Sequence, residues 1–157
     1  MRVGITGHQK IPPLAVPMIQ KMLHQLLEKQ PAPLTCVTSL AEGADQMCAA
    51  IAVKRGSSLH VVVPCAKYED SFTTAAALRQ FRSLLAASDS VETLSFPQPS
   101  EEAFLAAGRR VVDLSHLLAA VWDGKPARGK GGTAEIVAYA RTRAIAVEVL
   151  WPAGADR

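Results

Sequence analysis

Short β-branched runs alternate with longer helix-periodic segments along the whole chain, and this alternation limits the possible fold more than any other feature. Strands are expected over residues 3–6, 34–38, 59–63, 91–94, 117–122 and 145–150. Helices are expected between them. The first is introduced by Pro12, Pro13 and Pro17 and runs to about residue 29, and the others cover 44–54, 71–86, 101–113 and 133–143. Connections of this length suit crossovers between parallel strands, which a tight hairpin cannot make. The run LLAAVW at 117–122 is almost wholly apolar, as a strand covered on both faces must be. The expected fold class is therefore α/β, a three-layer, doubly wound, mainly parallel sheet of Rossmann-like type, forming one domain over residues 1–157. Residues 151–157 are expected to fray.

Composition narrows the class further. At 49% hydrophobic and 20% charged residues the chain is not a disordered tail, and its 26 alanines suit closely packed helices. No stretch reaches the ~18 apolar residues of a membrane span, and the opening runs straight into a strand instead of an apolar leader. A soluble, cytoplasmic protein with no membrane association is expected. Cys36, Cys48 and Cys65 are odd in number and widely spaced, which fits reduced core thiols better than a disulfide framework or a metal knuckle. No metal site and no resident cofactor are expected. The net charge of +3 is mild, and much of the excess sits at Lys125, Arg128 and Lys130.

In an open parallel sheet, ligands collect outside the carboxyl ends of the strands, where strand order reverses. The polar and glycine-rich segments fall at those ends: Gly7, His8 and Gln9, then 39–43, 64–69 and 123–132. The most informative is GKGGTAE at 129–135. Gly131 and Gly132 keep side chains away from a helix start, Thr133 is expected to cap it, and backbone N–H groups there can face an anion. Lys130 and Arg128 add charge suited to phosphate. The segment SLAEGADQ at 39–46 offers a second helix start, where Gly43 makes room and Glu42 or Asp45 can bond ligand hydroxyls. Glu42 is the stronger candidate, because Asp45 in a first turn is already accounted for by the helix dipole. His8 and Asp123 stand at strand ends and are candidate ligand contacts, while Trp122 reads as core.

Several chemistries lack their sequence signatures. The G-x-x-x-x-G-K-[ST] order of a nucleoside-triphosphatase loop is absent, and Gly4 and Gly7 do not form G-x-G-x-x-G. Ser115-His116 lies in a connection without a G-x-S-x-G elbow.

The segments GITGH at 4–8, SLAEGADQ at 39–46, VVVP at 61–64 and VWDGKPARGKGGTAE at 121–135 together resemble the SLOG superfamily of Rossmann-like nucleotide-binding domains. That grouping includes cytokinin-activating phosphoribohydrolases once called lysine decarboxylases, and a domain of DNA-processing protein A. The resemblance implies a phosphate-binding glycine loop, a nucleotide held above the sheet and commonly a dimer. The phosphoribohydrolases carry P-G-G-x-G-T-x-x-E. Gly132-Thr133 matches the G-T pair, but the proline is missing and Ile136 stands where those enzymes keep their catalytic glutamate. Glu135 is one residue short of it, a rotation of about 100° on a helix. Arg109 can stand for the arginine those enzymes bring from the preceding helix.

The function expected from these features is binding of a nucleotide or nucleotide-derived phosphate ligand, as a sensor or regulatory domain. Gly7, His8, Glu42, Gly43, Asp123, Lys130, Gly131, Gly132, Thr133 and Glu135 are the expected binding residues. An alternative is hydrolysis of the N-glycosidic bond of a nucleoside monophosphate, with Glu135 and Arg109 as catalytic residues. A second alternative is binding of single-stranded DNA. Aromatic residues make up only 5% of the chain, and no basic stripe interleaves with them. The expected partners are accordingly a phosphorylated small molecule and a second copy of the chain in a homodimer or higher even oligomer, with nucleic acid set aside.

Overall fold

The structure is a computed structural model and describes residues 1–126 and 132–155. Six strands form one sheet: β1 (Arg2–Gly7), β2 (Thr35–Thr38), β3 (Ser58–Cys65), β4 (Ser90–Phe96), β5 (Leu117–Val121) and β6 (Ala146–Val149). Their order across the sheet is β4-β3-β2-β1-β5-β6, and all five pairings are parallel. Helices α1 (Val16–Glu28), α2 (Ala44–Lys54), α3 (Ala75–Ala86), α4 (Glu101–Asp113) and α5 (Thr133–Thr142) make the crossovers.

The chain steps outward from β1 to β4, returns through α4 to place β5 on the other side of β1, and then adds β6. Because crossovers keep one hand, reversing the direction of travel moves the helices to the opposite face. Alternation along the strands follows. Val3, Ile5, Leu59 and Val61 face α1 to α3, with Ile19, Leu23 and Phe81 among the packed side chains. Val37, Val62 and Leu118 face α4 and α5 through Val111, Val112 and Ile136. The result is the three-layer, doubly wound, Rossmann-like architecture, with a switch point between β1 and β5. Among the described residues no helix is long and apolar enough to cross a membrane.

The element boundaries depart from the sequence reading for local reasons. Pro64 does not end the third strand: β3 runs to Cys65, and its register with β4 shifts between Val63 and Cys65, the kind of irregularity that accommodates a proline inside a sheet. The helix expected over 71–86 starts later: Ser71 ends a 3-10 turn, Tyr68–Ser71, and α3 begins at Ala75, its first turn capped by Thr74 accepting the Ala77 N–H at 3.1 Å. Thr133 is not a cap; Gly132 holds that position and Thr133 is the first residue of α5. The tail is tied down through residue 155. Trp151 packs edge-on against His8 with ring centroids 5.4 Å apart, and its Nε1–H donates to the Ala155 carbonyl at 2.8 Å. All three cysteines are free and buried.

Candidate functional site

A cleft of about 410 Å³ opens at the switch point, outside the carboxyl ends of β1, β2, β3 and β5. Its floor is the end of β1 with Gly7 and His8. Gly7 carries no side chain because a Cβ there would lie 2.5 Å from the Ala44 Cβ and 2.8 Å from the Val121 Cβ, so the residue lets α2 and β5 close around the strand end. His8 is 7% exposed and fixed from three directions. Its backbone N–H donates to the Val121 carbonyl, its carbonyl accepts from the Ala44 N–H, and its ring meets Trp151. His8 Nε2 lies 3.2 Å from both the backbone nitrogen and Oδ1 of Asp123. A neutral ring protonated on Nδ1 accepts the Asp123 N–H, and a protonated ring donates to Oδ1. Asp123 thus backs the histidine and is not itself part of the described lining.

The second wall is the loop from β2 into α2. Leu40 is fully buried at φ 57°, a conformation that is strained for a leucine and is held by its N–H donating to Thr38 Oγ1 and its carbonyl accepting from Gln46. Gly43 has φ 87°, and a Cβ would come within 2.4 Å of the Gln9 carbonyl oxygen and 2.5 Å of that of His8. Its missing side chain makes room for protein backbone.

The two carboxyl groups of this wall differ sharply. Glu42 is half-buried in the lining, whereas Asp45 is only 7% exposed. Burial pushes the Asp45 carboxyl up to about 7, against the pull of the Ala41 and Ser39 N–H groups and the Thr38 hydroxyl. Tyr68, 4% exposed, also lines the cleft, and its phenol is pushed upward by burial and by the charges of Asp45 and Cys65. Its hydroxyl has no hydrogen-bond partner among the described residues. Tyr68 lies edge-on to Phe72 at 5.2 Å and to Phe104 at 6.3 Å between ring centroids, and both phenylalanines also line the cleft.

The third wall is the start of α5, where Gly132, Thr133, Ala134 and Ile136 line the cleft. No side chain caps this helix, so its first turn offers backbone N–H groups toward the opening. The first turn of α2 is different, since the Ala44 N–H is already taken by the His8 carbonyl. Lys130 and Gly131, with Arg128, lie outside the described residues.

The structure therefore brings Gly7, His8, Glu42, Gly132 and Thr133 together, with Gly43 and Asp123 supporting from behind. It does not bring in Glu135 or Arg109. Ile136 lines the cleft with Thr133 and Ala134 of the same turn, and Glu135 is absent from the described lining. The Arg109 guanidinium lies 5.3 Å from the centroid of the Tyr139 ring in the α4–α5 contact. Tyr68, Phe72, Phe104 and Trp122 are among the cleft residues that sequence reasoning did not select, and Asp45, its weaker candidate beside Glu42, also lines the cleft. Trp122 is half-buried in the lining instead of core, with its Nε1–H donating to the Lys125 carbonyl at 2.8 Å. Among the described residues no group of three or more His, Cys, Asp or Glu side chains is placed to hold a metal ion.

No protein-family model and no curated protein matches the chain. Solved structures do match. DNA processing protein A from Streptococcus pneumoniae is similar over 99% of this chain and 52% of its own, with a TM-score of 0.74 at 19% identity. DNA processing protein A from Helicobacter pylori, described with a single-stranded DNA binding mode, is similar over 99% of this chain and 67% of its own, with a TM-score of 0.70 at 19% identity. A structural-genomics target is similar over 93% of this chain and 71% of its own, at 0.59 and 9%. At these identities the likeness establishes a shared Rossmann-like fold, and the chain spans about half the length of the first of these proteins.

Setting nucleic acid aside as a partner is corrected by this finding, since the same fold serves a protein that binds single-stranded DNA. The physical reason lies in placement. Aromatic residues are few, but four of the eight in the chain, Tyr68, Phe72, Phe104 and Trp122, are gathered around one cleft. An average over the composition cannot register that concentration.

Proposed function

We propose that the chain is a single-stranded DNA-binding domain of the SLOG superfamily that seats one nucleotide of the strand in the cleft between β1 and β5. The observation that carries this reading is the gathering of half the chain's aromatic side chains around a cavity of nucleotide size. Aromatic faces stack on bases of any sequence, and the uncapped first turn of α5 suits a backbone phosphate. The fold likeness to a protein described with a single-stranded DNA binding mode supports the same choice.

A second reading, binding of a free nucleotide, is favoured by one feature: Glu42 and Asp45 on the same wall can accept hydrogen bonds from ribose hydroxyls. N-glycosidic hydrolysis draws no support from the cleft, whose described lining holds neither Glu135 nor Arg109.

The test is fluorescence anisotropy of a labelled single-stranded oligonucleotide of mixed sequence. The expected outcome is binding that weakens between about 50 and 200 mM salt, and a loss of roughly 1–3 kcal/mol on Phe72→Ala. Absence of binding at the lowest salt overturns the reading. A nucleoside monophosphate that competes as well, per molecule, as the oligonucleotide replaces it with the second.

A further inference from the structure

A second set of reactive side chains stands at the amino ends of β3 and β4, the opposite end of the sheet from the cleft. Leu59 and Val61 of β3 pack toward α1 to α3, whereas Val62 packs toward α4 and α5. His60 is two residues before Val62 and so points to the α4 side. The parallel register sets Ser90 beside His60 and Glu92 beside Val62, which puts both β4 side chains on that same face. Arg110 reaches the group from α4.

His60 stands between Ser90 and Glu92. Its Nδ1 is 2.6 Å from Ser90 Oγ, and its Nε2 is 2.8 Å from Glu92 Oε1. The Arg110 Nε–H donates to both Glu92 oxygens, at 3.2 and 3.1 Å. Partial burial works against a charge on Glu92, but the hydrogen bonds from His60 and Arg110 outweigh it and hold the carboxyl below its ordinary range. An ionised carboxylate only accepts, so Nε2 carries a proton. In the neutral ring Nδ1 is then bare, and the Ser90 hydroxyl donates to it. Nucleophile, base and orienting group in unbroken hydrogen-bond contact are the arrangement that activates a hydroxyl. The Ser90 end is exposed, while the His60 and Glu92 side chains are 21% and 29% exposed, so a reagent can reach the oxygen with its base more sheltered behind it.

We propose that Ser90 is a nucleophile activated by His60, and that this site cleaves esters with good leaving groups, such as phenyl esters of short carboxylic acids. Ser90 Oγ attacks the acyl carbon as its proton passes to His60 Nδ1. The bond from that carbon to the phenol oxygen breaks, and the leaving phenolate takes the proton from Nδ1. Water then attacks the acyl-serine, gives a proton to Nδ1, and releases the acid as that proton returns to Oγ. Glu92 is a positioning residue that fixes the tautomer of His60, and Arg110 positions Glu92. An open site gives limited help to the charge that gathers on the acyl oxygen, which restricts the substrates to esters whose leaving group is already a weak base. The inference is independent of DNA binding at the cleft.

The experiment treats the full chain at pH 8 with p-nitrophenyl acetate, read as p-nitrophenolate release, and separately with a fluorophosphonate whose adduct is located by mass spectrometry of peptides. The expected result is an adduct confined to Ser90, and ester cleavage that falls about a hundredfold in Ser90→Ala and in His60→Gln, the size of a lost general base. Glu92→Gln is expected to slow cleavage about tenfold or more, because its amide can donate to Nε2 and leave the ring proton on Nδ1. Nitrogen-15 spectra of the imidazole rings, with His60 assigned by its loss in His60→Gln, should show that exchange of tautomer, which a merely structural role would not produce. Circular dichroism checks that each variant is folded. Cleavage unchanged in Ser90→Ala overturns the inference, since a histidine then reacts directly. Absence of an adduct on the parent, an adduct spread over several serines, or a neutral His60 ring protonated on Nδ1 in the parent overturns it as well.

Discussion

Replacing Asp45 by asparagine should make the protein more stable at pH 8 and less stable at pH 4. A free aspartate titrates at 3.8, but in the fold Asp45 titrates at about 7, chiefly because burial penalises its charge. Between those values the folded chain holds a proton that the unfolded chain has lost. Stability therefore falls as pH rises from about 4 to about 7 and levels off above it. Each pH unit of that interval is worth ~1.4 kcal/mol, so the ionised carboxylate costs ~4 kcal/mol at pH 8. Asparagine keeps the shape and cannot ionise. Its amide keeps one oxygen for the Ala41 N–H that Asp45 Oδ2 accepts at 3.4 Å but buries an NH₂ in place of the second oxygen, which takes back ~1–2 kcal/mol.

The difference between variant and parent should accordingly run from roughly −1 to −2 kcal/mol at pH 4 to roughly +2 to +3 kcal/mol at pH 8, crossing zero between. Urea denaturation followed by circular dichroism at steps of pH measures both chains. Glu69 and Glu92, which ion pairs hold below their ordinary range, titrate identically in the two and cancel from the difference. Profiles that stay parallel within ~1 kcal/mol from pH 4 to pH 8 would refute the reasoning, because Asp45 would then titrate alike in both states.

Three further outcomes follow from the geometry. Gly43→Ala should cost ~2 kcal/mol or more in chemical denaturation, because φ is positive and the new Cβ meets backbone oxygen atoms at 2.4 and 2.5 Å; an unchanged midpoint would show that the loop yields. Trp151→Ala should lower stability by roughly 2 kcal/mol, seen as a lower melting temperature, since the ring braces His8 and closes the tail at Ala155. Arg109→Ala and Glu135→Gln should each change stability by less than ~1 kcal/mol and leave oligonucleotide affinity within about twofold. A tenfold loss of affinity in either would return that side chain to the site.

The alternation of short apolar runs with long helical segments carried the architecture, because a crossover helix and a buried parallel strand each have a periodicity of their own. Ends were harder to read where a local exception outweighed the rule. Pro64 reads as a stop unless the partner strand absorbs it, and β4 does so by shifting its register. The third helix reads as starting at residue 71 because Phe72 extends the apolar face of Leu78, Phe81 and Leu85, while its true start depends on Thr74 turning its hydroxyl to the Ala77 N–H. Trp151 belongs to a tail by position and to the core by contact, and only the location of His8 decides between them.

Glycines and helix starts announced the place of the cleft, because backbone that must approach closely or adopt a positive φ excludes other residues. The cleft's character depends on burial, which sequence does not display. In Glu42-Gly43-Ala44-Asp45 the acidic residue inside the helix has a ready explanation in the dipole, so the one outside draws attention. The fold reverses their ranking. Gly43 bends the chain so that the first turn of α2 closes against the His8 loop, and the Asp45 carboxyl is carried inward, where Oδ2 accepts the Ala41 N–H. A carboxyl kept there at a cost of ~4 kcal/mol when ionised is poorly explained by helix capping, worth ~1 kcal/mol at most exposed sites. The excess is what a ligand donor would relieve, and it is why Asp45, not Glu42, is where substitution should change ligand affinity most.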